Sequence, residues 1–372
     1  MLRHVVLLAA ILALAAPALA SAPQVGGRAY LVENATTGDV VLAKNARQRV
    51  PIASITKLMT VLVALEHARL DDVVTVTGAA AARGESSIYL APGERLTVGE
   101  LVKAALIQSA NDAAVALADH VGRGSRSTFV SMMNAKAQQL GLRDTEFANP
   151  DGLDAAGAYS SARDVTRLAR VAMRNPAIRQ IVRTTETTIS GGRRLETWND
   201  LLHTFPGLLG VKTGHTSGAG WSQVAAARGP GFVVYATLLG EATRAQRNDD
   251  LTRLLAWGIS RYRKLPIVAQ GKTYASVSLP YGKGRLPLVA ARDQLRVVRL
   301  GKPLTEEVVA PGAVTLPVRK GAALGRVRVY REGRLIASSP LVAPRAVDAP
   351  GVLGRVGWYA GETAGNVWDF VS

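Results

Sequence analysis

Pro51-Ile-Ala-Ser54-Ile-Thr-Lys57-Leu-Met-Thr60 sets a serine and a lysine three residues apart at the head of an apolar run (Leu58, Met59, Val61, Leu62, Leu65) with helical spacing. The spacing predicts a helix from Ser54 to Leu70. Two readings of the pair compete. Serine is a good N-cap, so Ser54 could do no more than bond orphan amides of the first turn. Alternatively, one helical turn brings both groups to one face. A lysine kept neutral by its surroundings is then a base for a hydroxyl that is a poor nucleophile unaided. S-x-x-K alone is a weak motif, so the rest of the chain has to decide.

Upstream, residues 1–20 read as an export segment: a basic start at Met1-Leu-Arg3-His4, an apolar core from Val5 to Leu14, and a small-x-small exit at Ala18-Leu19-Ala20. On that reading the segment says nothing about fold, and the mature chain begins near Ser21. No later stretch offers about 18 consecutive apolar residues, so no spanning helix is expected beyond it. The chain has no cysteine. Disulfides, thiolate nucleophiles and cysteine-ligated metals are thereby removed, and core packing must hold an exported protein together. The remaining length suggests two domains.

The formal charge is +17, and from Leu265 onward 15 Lys/Arg stand against 7 Asp/Glu. An exported basic surface faces acidic envelope components, anionic lipid headgroups or wall polymers. Aromatic residues make up only 5% and do not interleave with the arginines, which argues against a nucleic-acid partner.

Arg28 to Val32 and Val40 to Ala43, joined by Asn34-Ala-Thr-Thr-Gly38, read as a hairpin. Thr97-Val-Gly-Glu100 is a capping box. Residues 112–121, 129–140 and 162–174 keep helical period, Gly231 to Leu239 is a buried strand, and Asp249 to Arg261 returns to helix. After Lys264-Leu-Pro266 the texture changes to short runs split by Gly and Pro: Val277 to Leu279, Leu286 to Val289, Leu295 to Leu300, Val314 to Val318, Arg326 to Tyr330 and Leu335 to Ser338, with a turn at Glu332-Gly333. That predicts an all-β sandwich over 265–345. The tail, 346–372, carries Trp358, Tyr359, Trp368 and Phe370 as an interfacial anchor would, but its five glycines (351, 354, 357, 361 and 365) argue against a stable helix.

Two further fragments decide the reading of Ser54. Gln108-Ser109-Ala110-Asn111-Asp112 interrupts the helices, and Gly210-Val-Lys212-Thr213-Gly214-His215 stands before the strand from Gly220 to Ala226. In this order on an exported chain the three motifs resemble those of penicillin-binding proteins and serine β-lactamases. Ser54 attacks and Lys57 takes its proton. Ser109 relays a proton to the leaving amine, and the Asn111 amide holds a substrate carbonyl and orients Lys57. Lys212, read as a standing cation, joins Thr213 and Gly214 in offering a strand edge to a peptide. Backbone amides near Ser54 and His215 form the oxyanion hole.

The wording of the motifs is similar to that of the low-molecular-mass D-alanyl-D-alanine carboxypeptidases, the S11 serine peptidases, across nearly the whole mature chain. The likeness extends to Asn149-Pro-Asp-Gly-Leu153, Tyr159-Ser-Ser-Ala-Arg-Asp164 and Trp198-Asn-Asp-Leu-Leu202. It implies a mixed α/β (α+β) catalytic domain of the serine β-lactamase and penicillin-binding-protein type over 21–264, followed by the β-sandwich domain. It implies acyl-serine removal of the terminal D-alanine from peptidoglycan pentapeptide stems, with β-lactams as covalent inhibitors, at the outer face of a bacterial cytoplasmic membrane or in the periplasm. By the family's spacing, Arg247 holds the substrate's terminal carboxylate. The tail departs from the family pattern in being shorter and richer in glycine, which leaves contact with a membrane surface open. Five lone histidines form no metal-ligand pattern, and no cofactor is expected. A β-lactamase would carry a Glu-x-x-Leu-Asn segment between Asn111 and Lys212, and none is present. An endopeptidase cutting cross-links would share all three motifs, but that group usually dispenses with the added domain.

Overall fold

The structure, a computed structural model, describes residues 5–12 and 21–360. It divides into two compact units, Ala20–Arg261 and a second that joins Tyr262–Ser372 to the N-terminal segment.

In the first unit β1 (Ala29–Asn34) and β2 (Asp39–Lys44) make the expected hairpin, its turn closed by Asn34 Oδ1, which accepts from the amides of Thr36 and Thr37. A largely helical segment follows, with α1 (Lys57–His67), α2 (Val98–Lys103), α3 (Asn111–Val121), α4 (Arg126–Gln139) and α5 (Ala162–Ala172). The chain then returns to the sheet through β3 (Leu208–Thr216), β4 (Gly220–Gly229) and β5 (Phe232–Glu241), and ends on α6 (Arg244–Ser260). The sheet is antiparallel throughout, in the order β2-β1-β5-β4-β3. Helices cover both of its faces. Thr166 of α5 bonds Thr237 on one face, while Gly258 of α6 lies against Val32 and Val234, residues of opposite parity, on the other.

Helix α1 is buried from Lys57 to Ala64 without a polar face, as befits a helix at the centre of a core. The expected helix from Ser54 to Leu70 is corrected at both ends. Ala53–Thr56 is a 3-10 turn, the α-helix starts at Lys57, and it stops at His67. Ser54 caps nothing, which removes the simpler of the two readings of the pair. The capping box is present, with the Thr97 hydroxyl accepting from Glu100 N and the Glu100 carboxylate from Thr97 N. Helix α6 begins five residues before Asp249 because Thr243 Oγ1 caps it by accepting from Gln246 N.

The second unit comprises β6 (Tyr262–Val268), β7 (Thr273–Ser278), β8 (Arg285–Ala290), β9 (Gln294–Arg299), β10 (Leu304–Pro311), β11 (Ala323–Arg331) and β12 (Arg334–Val342). One sheet runs β10-β11-β12-β8-β7, the pair β6-β9 packs on it, and Val277, Leu286, Leu288, Val327, Val329 and Leu341 fill the core. Glu332 and Gly333, at φ 50° and 77°, make the hairpin turn between β11 and β12. The stretch from Val314 to Val318 is not a strand. It includes Pro317, which has no N–H to donate, and among the described residues its backbone pairing is limited to isolated bridges at Ala313 and Val318. Strands β6 and β10 were not legible: Pro266 interrupts the first, and Glu306-Glu307 break the alternation of the second.

Val5–Leu12 lies antiparallel to β10, with Val5 opposite Pro311 and Leu12 opposite Leu304. An apolar run has the free amides and carbonyls to extend an open sheet edge, so this part of the expected export segment does enter the fold. The remainder of that segment lies outside the described residues. In the tail, 352–360 is helical despite Gly354 and Gly357. Trp358 and Tyr359 set their rings edge-on to Tyr281 at 5.6 and 6.3 Å, and this tertiary contact overrides the low helix propensity of glycine. Trp368 and Phe370 lie outside the described residues.

Candidate active site

The 3-10 turn Ala53–Thr56 holds Ser54 half-exposed and delivers Lys57 into the core. Lys57 Nζ donates to Ser54 Oγ at 2.8 Å, Asn111 Oδ1 at 2.6 Å and the Asp151 carbonyl at 2.7 Å. Complete burial outweighs the nearby carboxylates of Asp151, Asp112 and Glu85 and lowers its pKa to about 7. Asn111 is fixed in turn by donating through Nδ2 to the Gly84 carbonyl at 3.0 Å.

Two glycines let the backbone close around this turn. A Cβ on Gly152, whose φ is +85°, would lie 2.0 Å from the Ala53 carbonyl oxygen, and one on Gly214 would lie 2.6 Å from that of Ile52. Glycine at these positions brings the 149–153 loop and the edge strand β3 against Ser54 from two sides.

Ser109 ends a π-helical turn, Ala104–Gln108, in the left-handed conformation at φ 63°, and Ala53 is left-handed at φ 49°. Two non-glycine residues in this sparsely populated region flank the cluster, a form of strain that collects at functional sites. The Ser109 hydroxyl accepts from Lys212 Nζ at 2.8 Å, and Lys212 also donates to the Thr213 carbonyl at 2.9 Å. Lys212 is wholly buried, and its pKa lies well below the lysine norm, first through burial and then through the charges of Lys57 and Arg247. Among the described residues no carboxylate offsets the burial of Lys212 as Asp151 does for Lys57.

Arg247, on the first turn of α6, is 1% exposed, with its guanidinium 5.8 Å from the ring centre of Trp221. Trp221 itself stacks on His215 at 4.0 Å. Burial lowers the Arg247 pKa to about 10, so it stays cationic at neutral pH. Nε and Nη2 donate to Asn248 Oδ1, and Nη2 also donates to Asp200 Oδ2 at 3.2 Å.

Ser54, Lys57 and Asn111 thus form one bonded group, Ser109, Lys212 and Thr213 a second, and Arg247, Trp221 and His215 a third. Gly214 lies at the close approach of β3 to the Ser54 turn. The sequence reading missed several participants. Asp151 supplies a carbonyl to Lys57 and a carboxylate to Arg83. Asp112 accepts from Ser87 Oγ at 2.6 Å and from the amides of Ile88 and Leu90 at 3.1 Å, tying the 86–90 loop to the Ser-Ala-Asn turn. The signal for both was present, in Asn149-Pro-Asp-Gly-Leu153 and in the Asp after Ser-Ala-Asn, but nothing local said what each would meet.

The D-alanyl-D-alanine carboxypeptidase family matches residues 16–243, and the C-terminal domain of penicillin-binding protein 5 matches 262–349. The chain is 32% identical over 338 residues to the D-alanyl-D-alanine carboxypeptidase DacF of Bacillus subtilis, covering 87% of this chain and 86% of that one. It is also 32% identical over 380 residues to DacC of Escherichia coli, covering 96% and 91%. Penicillin-binding protein 5 of Haemophilus influenzae superposes with a TM-score of 0.66 at 28% identity, over 89% of this chain and all of that one. The Streptomyces K15 DD-transpeptidase superposes at 0.62 with 32% identity, its full length matched by only 65% of this chain. The bonded serine–lysine pair, the second lysine on the sheet edge and the added β unit thus occur on a chain that belongs to the S11 family, the low-molecular-mass penicillin-binding proteins that act as serine-type D-Ala-D-Ala carboxypeptidases.

Proposed function

We propose that Ser54 is the nucleophile of this carboxypeptidase and Lys57 its base. The observation that supports this most is the set of bonds at Lys57 Nζ. As the neutral amine, Lys57 donates its two N–H groups to Asn111 Oδ1 and the Asp151 carbonyl, and its lone pair faces the Ser54 hydroxyl. Ser54 Oγ attacks the carbonyl of the penultimate D-alanine while its proton passes to Lys57. Backbone amides near Ser54 and His215 hold the oxyanion. Ser109 relays a proton to the amine of the departing D-alanine, leaving the peptide as an ester on Ser54, which water then hydrolyses. Thr213 and Gly214 align the peptide along β3 as an added strand. Lys212 and Arg247 meet the terminal carboxylate, whose negative charge favours the ammonium form of Lys212.

The natural substrate on this reading is the pentapeptide stem of peptidoglycan, processed outside the cytoplasmic membrane after removal of residues 1–20, which would leave β10 as an open edge. The β unit positions the catalytic unit relative to wall or membrane. The tail supports contact with a membrane surface: Val352, Leu353, Val356 and Tyr359 are exposed on one short helix, and no helix among the described residues is long and apolar enough to span.

A fluorescent penicillin tests the nucleophile. Wild-type protein is expected to label and to release the label slowly, and Ser54→Ala not to label at all. Labelling of Ser54→Ala would exclude Ser54, and loss of label from wild type within seconds would favour a β-lactamase.

A further inference from the structure

Arg247 is not held by the substrate site alone. Arg244, Arg247 and Asn248, at i, i+3 and i+4 on the first turns of α6, present one face to Asp200, which precedes the single helical turn Leu201–Thr204. One carboxylate receives all three. Asp200 Oδ2 accepts from Arg244 Nε at 2.8 Å, Asn248 Nδ2 at 2.7 Å and Arg247 Nη2 at 3.2 Å, and Oδ1 accepts from Arg244 Nη2 at 2.5 Å. The guanidinium of Arg244 lies 5.1 Å from the ring centre of Trp198, whose Nε1 donates to the carbonyl of Gln108, the residue before Ser109. Burial alone would raise the Asp200 carboxyl, but the bonds from Arg244 and Asn248 outweigh it and keep Asp200 ionised below its usual range.

The charges are what give the arrangement meaning. Asp200 carries one negative charge against the two positive charges of Arg244 and Arg247, so the cluster keeps one net positive charge. The Asn248 amide and the edge of the Asp200 carboxylate occupy the Nε and Nη2 of Arg247, and among the described residues its Nη1 makes no hydrogen bond. An arginine so fixed offers one charge and one free edge to one carboxylate, with little rotamer entropy left to lose when that carboxylate arrives.

We propose that Asp200 is a positioning residue that orients Arg247 and so sets the enzyme's preference for peptides ending in a free carboxylate. The proposal rests on the reading of Arg247 as the carboxylate's partner, and the test separates the two. A peptide ending in D-Ala-D-Ala and its C-terminal amide are hydrolysed by wild type, Arg247→Ala, Asp200→Asn and Asn248→Ala, and kcat/KM is taken for each. If Arg247 binds the carboxylate, Arg247→Ala loses the preference for acid over amide, and an unchanged preference there removes the underlying reading. Asp200→Asn is expected to lower kcat/KM for the acid about tenfold, mostly through KM, and for the amide less than about twofold. Asn248→Ala, which keeps the Asp200–Arg244 pair, is expected to narrow the preference about threefold and serves if Asp200→Asn does not fold. An equal fall on both peptides in these variants would show a merely structural role. A higher kcat/KM for the acid in Asp200→Asn would show that Asp200 competes with substrate. Either result overturns the proposal while leaving Arg247 in place.

Discussion

The two units spend their interiors differently. The catalytic unit buries Lys57, Lys212 and Arg247 together with Asp112, Asp151 and Asp164, whereas among the described residues the β unit buries no charged side chain. A charge taken out of water costs several kcal/mol unless its partners replace the lost hydration. The catalytic unit meets that cost with multiple bonds to each group, and where the bonds fall short the pKa moves instead, as at Lys57 and Lys212. The β unit avoids the cost with alternating apolar strands. The contrast locates function: charge is buried where a displaced pKa is useful.

The sharpest way to break that contrast is to keep the charge at Lys57 and remove its ability to titrate. Arginine stays protonated at any working pH. Lys57→Arg is therefore expected to slow acylation by penicillin about a thousandfold, the range for loss of a general base, with folding checked by circular dichroism. Near-normal acylation in a folded variant would mean that Lys57 is not the base. Wild type carries the same dependence in its pH profile. With its pKa lowered to about 7, Lys57 is neutral above that pH and protonated below it. The second-order acylation rate should fall tenfold per unit below about 7, roughly a hundredfold by pH 5, and level off above. A flat profile from pH 5 to 8 would contradict a base of that pKa.

Buried charge in the catalytic unit also serves structure, and one pair of substitutions sharpens the comparison there. Asp112→Asn turns an amide toward donors that now bond a carboxylate and should destabilise by about 2 kcal/mol in urea unfolding. Ser339→Ala, in the β unit, removes a hydroxyl whose one bond among the described residues is to the adjacent Pro340 carbonyl at 3.2 Å, and should cost about 0.5 kcal/mol. Equal costs would erase the distinction drawn between the two interiors.

Legibility in the sequence followed the same division by range. Features set by neighbours along the chain were readable: the Thr97–Glu100 capping box, the β1–β2 hairpin, the Glu332-Gly333 turn, and the serine–lysine pair one turn apart. Features set by distant partners were not. Asp200 acquires meaning only when α6, more than forty residues later, brings three side chains to it. The Asp151 carbonyl matters because Gly152 lets its loop approach Ala53. The depressed pKa of Lys212 depends on its burial beside Lys57, 155 positions earlier in the chain. The tail helix escaped for a related reason, since its glycines are local and its contact with Tyr281 is not.

The smallest effect is expected where the contrast is cleanest. Lys57, Lys212, Arg247 and every side chain bonded to them lie before residue 262, and a continuous core running from Ala29 through Phe129 and Leu168 to Leu239 supports them within one unit. The Streptomyces K15 enzyme, matched over its full length by 65% of this chain, shows that this fold can stand without a counterpart for the rest. A fragment of residues 21–261 should therefore hydrolyse a soluble peptide ending in D-Ala-D-Ala with kcat/KM within about threefold of the full chain, because no group that stabilises the transition state is lost. On the proposal that the β unit and tail position the enzyme, the same fragment should lose much more activity on intact wall or on substrate displayed at a membrane. Loss of activity on soluble peptide by a folded fragment would mean that the β unit shapes the site itself, and the separation between a unit that reacts and a unit that positions would fail.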